Sequence, residues 1–231
     1  MADTIKLVDY ERLSYYDKKI KSYLAKQSDL DALQKDVDDL LYKQIAITSF
    51  SNTVRTAQIG STVNTITFNW SLNKTPKALT LNTESLDINA RTKTIKDANI
   101  TTNTSWTLIA TDERNAKVSA NTSLTFLNGV YFGVAQAVTE DEIDSVFIRR
   151  FNVQLTSARQ REISVAADTD QYIYYAIPTR FGTPSFFVGG FEGGFNKVKT
   201  FDFTNSNNYT ESYDVWRTTN SGLGKTTITI K

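Results

Sequence analysis

Apolar residues recur along positions 13 to 44 with gaps that alternate between three and four residues, the spacing of a coiled-coil seam. Most other positions there are polar, so the apolar stripe is narrow and suits a helix partner better than a sheet. The spacing predicts a stalk that joins copies of the chain. The alternative is that the helices pack against the rest of the same chain. The seam consists of Leu13, Tyr16, Ile20, Tyr23, Gln27, Leu30, Leu33, Val37, Leu40 and Gln44.

One step of the seam departs from the alternation, because Leu30 is preceded and followed by gaps of three. Two successive gaps of three either overwind a continuous coiled coil or separate two helices. Ser28 favours the separation, since serine is a common N-cap and the following Asp29 suits the positive end of a helix dipole. We therefore predict helices over about 9–26 and 29–46.

Beyond about residue 48 the period changes to that of short strands separated by turns. Ile66, Phe68 and Trp70 alternate with polar residues, as in a strand with one buried and one solvated face. The polar segment 112–115 predicts the tip of a hairpin between two long strands. Residues 48–128 therefore predict an Ig-like β-sandwich.

The region from residue 129 onward predicts a second β-sandwich, or jelly-roll-like domain, over 129–231. Thr139 and Glu142 have the spacing of a capping box, so the acidic run around them predicts a helix start; the ligand spacing of an EF-hand loop is missing. The predicted fold class is mainly β, with an N-terminal α-helical (coiled-coil) stalk over 1–47 ahead of the two β domains. Strands are predicted over 161–166, 171–178, 184–188, 198–203, 209–216 and 226–230.

Composition excludes several function classes. The 231-residue chain has a net charge of +1, and without a basic run it lacks the electrostatic footprint of a nucleic-acid binder. It contains neither cysteine nor histidine, which removes thiolate nucleophiles, Ser-His-Asp arrangements and the commonest transition-metal ligands. We expect no catalytic residue, metal or cofactor. A membrane-spanning run and the features of a signal peptide are also missing, so we expect synthesis in a cytoplasm and no membrane insertion.

Two further sets of residues suggest contact with sugars. Tyr209, Tyr213 and Trp216 follow a polar loop, and Phe191 lies in a glycine-rich loop, so these aromatic residues are candidate glycan contacts. That glycine-rich loop lacks the Lys-Ser/Thr ending of a P-loop. Glycoside hydrolysis needs only two carboxylates, and the alternative of a glycoside hydrolase or depolymerase would use residues such as Glu192 and Asp214.

The motifs of residues 5–23, of residues 59–116 and of the C-terminal segments 183–195 and 213–217 resemble those of bacteriophage appendage and minor structural proteins. Residues 5–23 combine an apolar start, an Asp and a Leu with a K-I-K-x-Y pattern. Residues 59–116, with Asn69-Trp70 and the Asn73-to-Pro76 segment, are similar to an Ig-like module of those proteins. Residues 183–195 and 213–217 look like their C-terminal domain. The resemblance covers nearly the whole chain.

The resemblance implies a virion structural protein, made in the cytoplasm of the bacterial host. Such a fibre-like appendage sits on a tail, baseplate or head, attaches to other virion proteins through its N-terminus and is commonly a homotrimer. Its β domains contact the host surface, so a host cell-surface glycan is a candidate partner. The seam itself favours two strands, with Ile20 and Val37 at position a and Leu40 at d. A bacterial surface adhesin module is a further alternative, against which the missing signal peptide argues.

Overall fold

The structure, a computed structural model, describes residues 10–231. The chain divides into two compact units with their boundary between Gln44 and Ile45. We call residues 10–44 the helical unit and residues 45–231 the β unit. The predicted helix start at residue 9 and the first part of the predicted attachment segment lie outside the described residues.

The helical unit contains one α-helix, α1 (Tyr10–Leu41). It passes through Ser28 without interruption, so the predicted division into two helices is wrong. The Gln27 side-chain amide donates to the Asp31 carboxylate over 2.8 Å, one turn later, and this contact spans the predicted break. The helix ends at Leu41 rather than at residue 46 because Ile45 is already buried in the core of the β unit.

The β unit contains sixteen strands. The first eight are β1 (Ile47–Asn52), β2 (Thr56–Gln58), β3 (Ile66–Leu72), β4 (Ala78–Leu81), β5 (Glu84–Leu86), β6 (Thr92–Ile95), β7 (Thr104–Thr111) and β8 (Lys117–Gln136). The others are β9 (Asn152–Thr156), β10 (Arg161–Ala167), β11 (Gln171–Pro178), β12 (Phe186–Val188), β13 (Phe191–Glu192), β14 (Phe195–Thr204), β15 (Thr210–Thr218) and β16 (Gly224–Ile230). A short helix, α2 (Ser145–Arg149), and a 3-10 turn (Thr179–Phe181) lie between them.

The strands form three sheets. The largest has nine strands, in the order β14-β15-β11-β8-β7-β4-β5, with β2 and β9 also pairing with β8. A three-stranded sheet has the order β1-β3-β6, and a four-stranded sheet the order β10-β16-β12-β13. The chain is therefore mainly β with an N-terminal helix, as predicted at that level.

In the first part of the β unit, the three-stranded sheet faces the β4, β7 and β8 strands of the large sheet across one core. The rings of Phe68 on β3 and Trp106 on β7 meet edge to face, with 5.0 Å between their centroids. Ile66, Phe68 and Trp70 are buried as their alternation predicts. The predicted hairpin tip is confirmed, because the backbone N–H of Asp112 donates to the Ala116 carbonyl between β7 and β8.

In the second part, the large sheet is covered on both faces. Tyr175 on β11 contacts Phe186 of the four-stranded sheet, with ring centroids 5.4 Å apart. On the opposite face the neighbouring Tyr174 contacts Phe147 of α2 at 5.1 Å. Successive residues of a strand point to opposite faces, so both faces of β11 are buried, which explains its almost uninterrupted apolar sequence.

The start of α2 differs from the prediction. Its N-cap is Asp144, whose carboxylate accepts a hydrogen bond from the Phe147 N–H over 2.7 Å. Thr139 and Glu142 do interact, since the Thr139 backbone N–H and hydroxyl both donate to the Glu142 carboxylate. These hydrogen bonds, the backbone one first, lower the pKa of Glu142. The predicted capping box thus closes a turn before the helix.

Strand β8 belongs to both parts of the β unit. Its residues 117–124 pair with β7, and its residues 131–136 pair with β11. It passes without interruption through residues 128 and 129, where the sequence analysis separates two domains. One strand of 20 residues therefore joins the two cores.

Candidate oligomerisation helix and surface residues

The eight apolar residues of the predicted seam lie on the exposed surface of α1. The exposed fraction of these eight side chains runs from 38% at Val37 to 85% at Leu40, and α1 contains no buried residue. The eight residues are Leu13, Tyr16, Ile20, Tyr23, Leu30, Leu33, Val37 and Leu40. The described residues thus leave these apolar side chains in contact with solvent.

Polar contacts within α1 are short-range pairs one turn apart. Lys21 forms an ion pair with Asp17 at 2.8 Å, and the Gln34 amide donates to the Asp38 carboxylate at 2.9 Å. Such exposed pairs contribute about 0.2–0.5 kcal/mol each to helix stability. A fully buried Leu or Ile side chain contributes about 1.5–3 kcal/mol, so covering the seam would outweigh these pairs several-fold.

The candidate glycan contacts occupy different surroundings. Phe191 projects from the hairpin between β12 and β13 and is 82% exposed. Gly189 and Gly190 form the tip of this hairpin, and both have the positive φ that favours glycine. Tyr209 is half-buried in the turn between β14 and β15, a different part of the β unit. The structure therefore presents Phe191 as an isolated aromatic side chain.

Burial removes Tyr213 from the predicted contacts and limits Trp216. Only 3% of Tyr213 is exposed, and its hydroxyl donates to the Gly129 carbonyl inside the protein. Trp216 is half-buried, and its ring lies 5.4 Å from that of Phe186. Alternation places these two residues in different cores of the β unit. The sequence of an aromatic-rich strand is compatible both with a binding surface and with a core, because both use aromatic side chains.

The two candidate carboxylates belong to different sheets. Glu192 lies exposed on β13. Asp214 on β15 is buried, and it accepts a hydrogen bond from the Thr200 hydroxyl over 2.6 Å. Lys197 lies 3.4 Å from the same carboxylate oxygen. These contacts give Asp214 a structural role in holding β14 against β15.

A polar network that the sequence analysis missed joins the two parts of the β unit. Arg180 donates to the Glu211 carboxylate and to the Asn128 side-chain oxygen, and Asn128 donates to Glu211. Nearby, the Gln58 amide donates to the Tyr131 hydroxyl over 2.7 Å. Burial raises the pKa of Tyr131 and opposes its ionisation. These residues are widely separated in sequence and follow no motif, so only the fold brings them together.

Few other features of the described residues suggest chemistry. Between β8, β9 and β10 lies a hollow of about 270 Å³, lined by Gly133, Val134, Asn152, Ser164, Val165 and Ala166, none of which titrates. Residues 10–231 contain no group of three or more acidic, His or Cys side chains placed to hold a metal ion. In the same part of the chain, no helix has the length and apolar character needed to cross a membrane.

Comparison with known proteins gives no family. No protein family and no curated protein matches the chain. A structure of the N-terminal eight Ig domains of Down Syndrome Cell Adhesion Molecule, isoform 1.30.30, aligns with 76% of this chain and 23% of its own, at 10% identity and a TM-score of 0.23. Chitinase ChiA74 from Bacillus thuringiensis aligns with 81% of this chain and 26% of its own, at 14% identity and a TM-score of 0.20. The chain thus spans about a quarter of each, and neither likeness identifies its fold.

Proposed function

We propose that the protein is a structural component of a bacteriophage particle, a fibre-like appendage whose copies associate through α1. The observation that carries self-association is the exposure of all eight seam residues along one continuous helix. The assignment to a phage particle rests on the resemblance of residues 5–23, 59–116, 183–195 and 213–217 to phage appendage proteins.

The energetics of α1 support association. Isolated helices are marginal in water, and most helical stability in proteins comes from packing an apolar face. The seam of α1 is apolar and uncovered within the described residues. Association would bury it in each copy, while the polar residues between the seam positions stay in solvent.

The β unit is the part proposed to face outward and contact the host. We assign an Ig-like sandwich to its first part and a jelly-roll-like sandwich to its second, and the paired sheets around each core support this. Phe191 is the exposed aromatic residue proposed to contact a host glycan. A single such contact is weak, but several linked copies bind a surface with useful avidity.

Binding and assembly, rather than catalysis, fit the chemistry of the chain. Without histidine or cysteine the most common general base and the thiolate nucleophile are missing. Of the two carboxylates that a hydrolase would need, Asp214 is buried and hydrogen-bonded to Thr200. Incubation with host-wall polysaccharide is therefore expected to release no sugar, and measurable release would favour the hydrolase.

Self-association is tested by light scattering on matched variants of the full chain. In the seam variant Ile20→Asn/Leu33→Asn, two apolar contacts are lost, so we expect an oligomer in the unaltered protein and a monomer in the variant. The control Ser22→Asn/Lys35→Asn places two asparagines on the same helix outside the seam and should keep the oligomer. A monomeric unaltered protein, or equal masses for all three, would contradict the proposal.

The location in a particle needs a separate measurement. Mass spectrometry of phage particles, purified from cultures that express this protein, is expected to find it in a fixed ratio to the other virion proteins. Labelled antibodies against the β unit should then decorate the particle surface in electron micrographs. Recovery of the protein only in the cell fraction would contradict the assignment, even if the chain self-associates.

A further inference from the structure

The two halves of α1 carry opposite net charge. In residues 10–26 the basic side chains outnumber Glu11 and Asp17 by three, and in residues 27–41 the acidic side chains outnumber Lys35 by four. The basic residues are Arg12, Lys18, Lys19, Lys21 and Lys26, and the acidic ones are Asp29, Asp31, Asp36, Asp38 and Asp39. The helix therefore has a basic N-terminal half and an acidic C-terminal half.

This arrangement is the reverse of the one that stabilises a single helix. The N-terminus of a helix carries partial positive charge and the C-terminus partial negative charge, so acidic residues favour the first turn and basic residues the last. In α1 the first turn contains Glu11, but the last turn contains no basic residue, and most charges follow the opposite order. A partner that presents acidic groups to the first half and basic groups to the second would compensate both halves.

We propose that this partner is a second copy of α1 bound in antiparallel orientation. The inference rests on the proposed self-association and specifies its geometry. Each basic half then faces an acidic half, and the two helix dipoles also oppose each other. In a register that places Ile20 opposite Leu33 of the second copy, each of the eight apolar seam residues meets another of the eight. The remaining pairs are Leu13 with Leu40, Tyr16 with Val37, and Tyr23 with Leu30.

The residues beside the seam agree with this register. In antiparallel coiled coils the g positions of the two helices face each other, and a g position precedes each a residue. The two successive gaps of three restart the heptad at Leu30, so Lys26 precedes one a residue, Gln27, and Asp29 precedes the next, Leu30. Lys19 then lies opposite Asp36 of the second copy, and Lys26 lies opposite its Asp29. Symmetry repeats both contacts, which gives four ion pairs along one edge of the pair.

Parallel association is the less favourable arrangement. It places each half of α1 beside an identical half, and each half is about 24 Å long at 1.5 Å per residue. Charges are screened beyond about 8 Å at physiological salt, so the distant half cannot offset this repulsion. Parallel helices would bring Arg12 near Asp17 of the neighbour, but Asp17 is already paired with Lys21 in its own helix. A closed trimer requires parallel neighbours, so the charges favour two copies over the three that the resemblance implies.

Cysteine cross-linking of the full chain tests the orientation, because the protein has no cysteine of its own. Ile20→Cys and Leu33→Cys, carrying tags of different size, are mixed and oxidised. Antiparallel pairing juxtaposes the two cysteines, whereas the two Ile20→Cys positions lie about 20 Å apart along the axis. We expect at least tenfold faster cross-linking in the mixture than in either variant alone. Ser22→Cys, which lies outside the seam, gives the background rate.

The possible outcomes distinguish a wrong orientation of the helices from a failure of the chain to self-associate. Rapid cross-linking of Ile20→Cys with itself would overturn the antiparallel arrangement and leave the proposed self-association intact. Cross-linking at the Ser22→Cys rate in all samples would overturn both. In a second measurement, the charge variant Lys19→Asp/Lys26→Asp is expected to raise the dissociation constant of the pair at least tenfold. An unchanged constant would show that these contacts do not form.

Discussion

The Tyr213 hydroxyl donates a hydrogen bond of 2.6 Å to the backbone carbonyl oxygen of Gly129, linking β15 to β8 in the interior. The hydroxyl of Tyr175 is also buried, with the Arg161 guanidinium near it, but no group among residues 10–231 has the geometry of a hydrogen-bond partner. The two tyrosines therefore form a matched pair for measuring how much a buried hydroxyl contributes to the free energy of unfolding. They differ in whether the desolvation of that group is compensated.

We expect Tyr213→Phe to lower the free energy of unfolding by about 1–2 kcal/mol, because the Gly129 carbonyl loses its donor. Tyr175→Phe should change it by less than about 0.5 kcal/mol, because it removes a polar group without a partner. Urea unfolding followed by tryptophan fluorescence measures both, since all three tryptophans lie in the β unit. Equal losses in the two variants would contradict the assigned difference.

The buried tyrosines also predict sensitivity to alkali. Burial raises the pKa of Tyr175 to about 12, against the weaker opposing effect of Arg161, and burial also raises the pKa of Tyr213. In the unfolded chain these groups lose protons near pH 10, so the folded state retains more protons above that pH. The stability due to each raised pKa is complete below pH 10 and is lost as pH rises through the folded-state value.

We therefore expect the urea midpoint to fall between pH 10 and pH 12. For Tyr175 the loss amounts to at most about 2–3 kcal/mol in the free energy of unfolding. The urea midpoint of Tyr175→Phe should fall less steeply with pH than that of the unaltered protein over the same range. At pH 8 the two midpoints should agree. If the urea midpoints of the two proteins fell equally with pH, Tyr175 would have the same pKa in the folded and the unfolded chain.

Gly60 is expected to be intolerant of any side chain. Its φ is +90°, and a Cβ at this position would lie 2.6 Å from the Tyr209 Cβ and 3.2 Å from the Asn207 carbonyl oxygen. Gly189 also has a positive φ, of +59°, but a Cβ there would meet no atom within 4 Å. Gly60→Ala should cost about 2–4 kcal/mol, and Gly189→Ala about 1–2 kcal/mol from backbone strain alone. Thermal unfolding compares them, and equal shifts in melting temperature would contradict the close approach.

Asp112 is expected to be the most sensitive acidic residue of the first core. Its fully buried carboxylate accepts from the N–H groups of Arg114 and Ala116 at 3.0 and 2.9 Å, and from that of Ile45 at 3.3 Å. Asp112→Ala leaves these donors without their acceptor and should cost at least about 3 kcal/mol. Asp202→Ala, at an exposed position of β14, should stay within about 0.5 kcal/mol. Similar urea midpoints for Asp112→Ala and Asp202→Ala would contradict the role of the Asp112 carboxylate as a buried acceptor.

Local patterns predicted the elements that depend on local physics. The alternation around Phe68 and the polar hairpin tip at 112–115 both match the structure, because strand faces and tight turns are set by neighbouring residues. The prediction failed at Ser28, where N-cap preference gave way to a continuous helix with a side-chain contact across the site. A single capping residue is weak evidence for a helix end when good helix formers lie on both sides.

The candidate site shows the same limit. A helix over most of residues 10–41 could be predicted because heptad spacing depends only on sequence, while the role of its apolar residues as a seam stays a prediction. The burial of Tyr213 could not be predicted, since it depends on Tyr131 of β8, which is distant in sequence. Asn128, Arg180 and Glu211 lie 31 to 83 residues apart, and only the pairing of the strands brings them together.

The length of β8 has a mechanical consequence. Because this one strand takes part in both cores, a pulling force applied across the β unit travels through its peptide bonds and through the hydrogen bonds to β7 and β11 on either side. These bonds must shear together before the cores can separate, and no hinge in β8 lets one core swing against the other. In the appendage proposed above, this continuous strand would keep the β unit from bending at its middle under a sideways force.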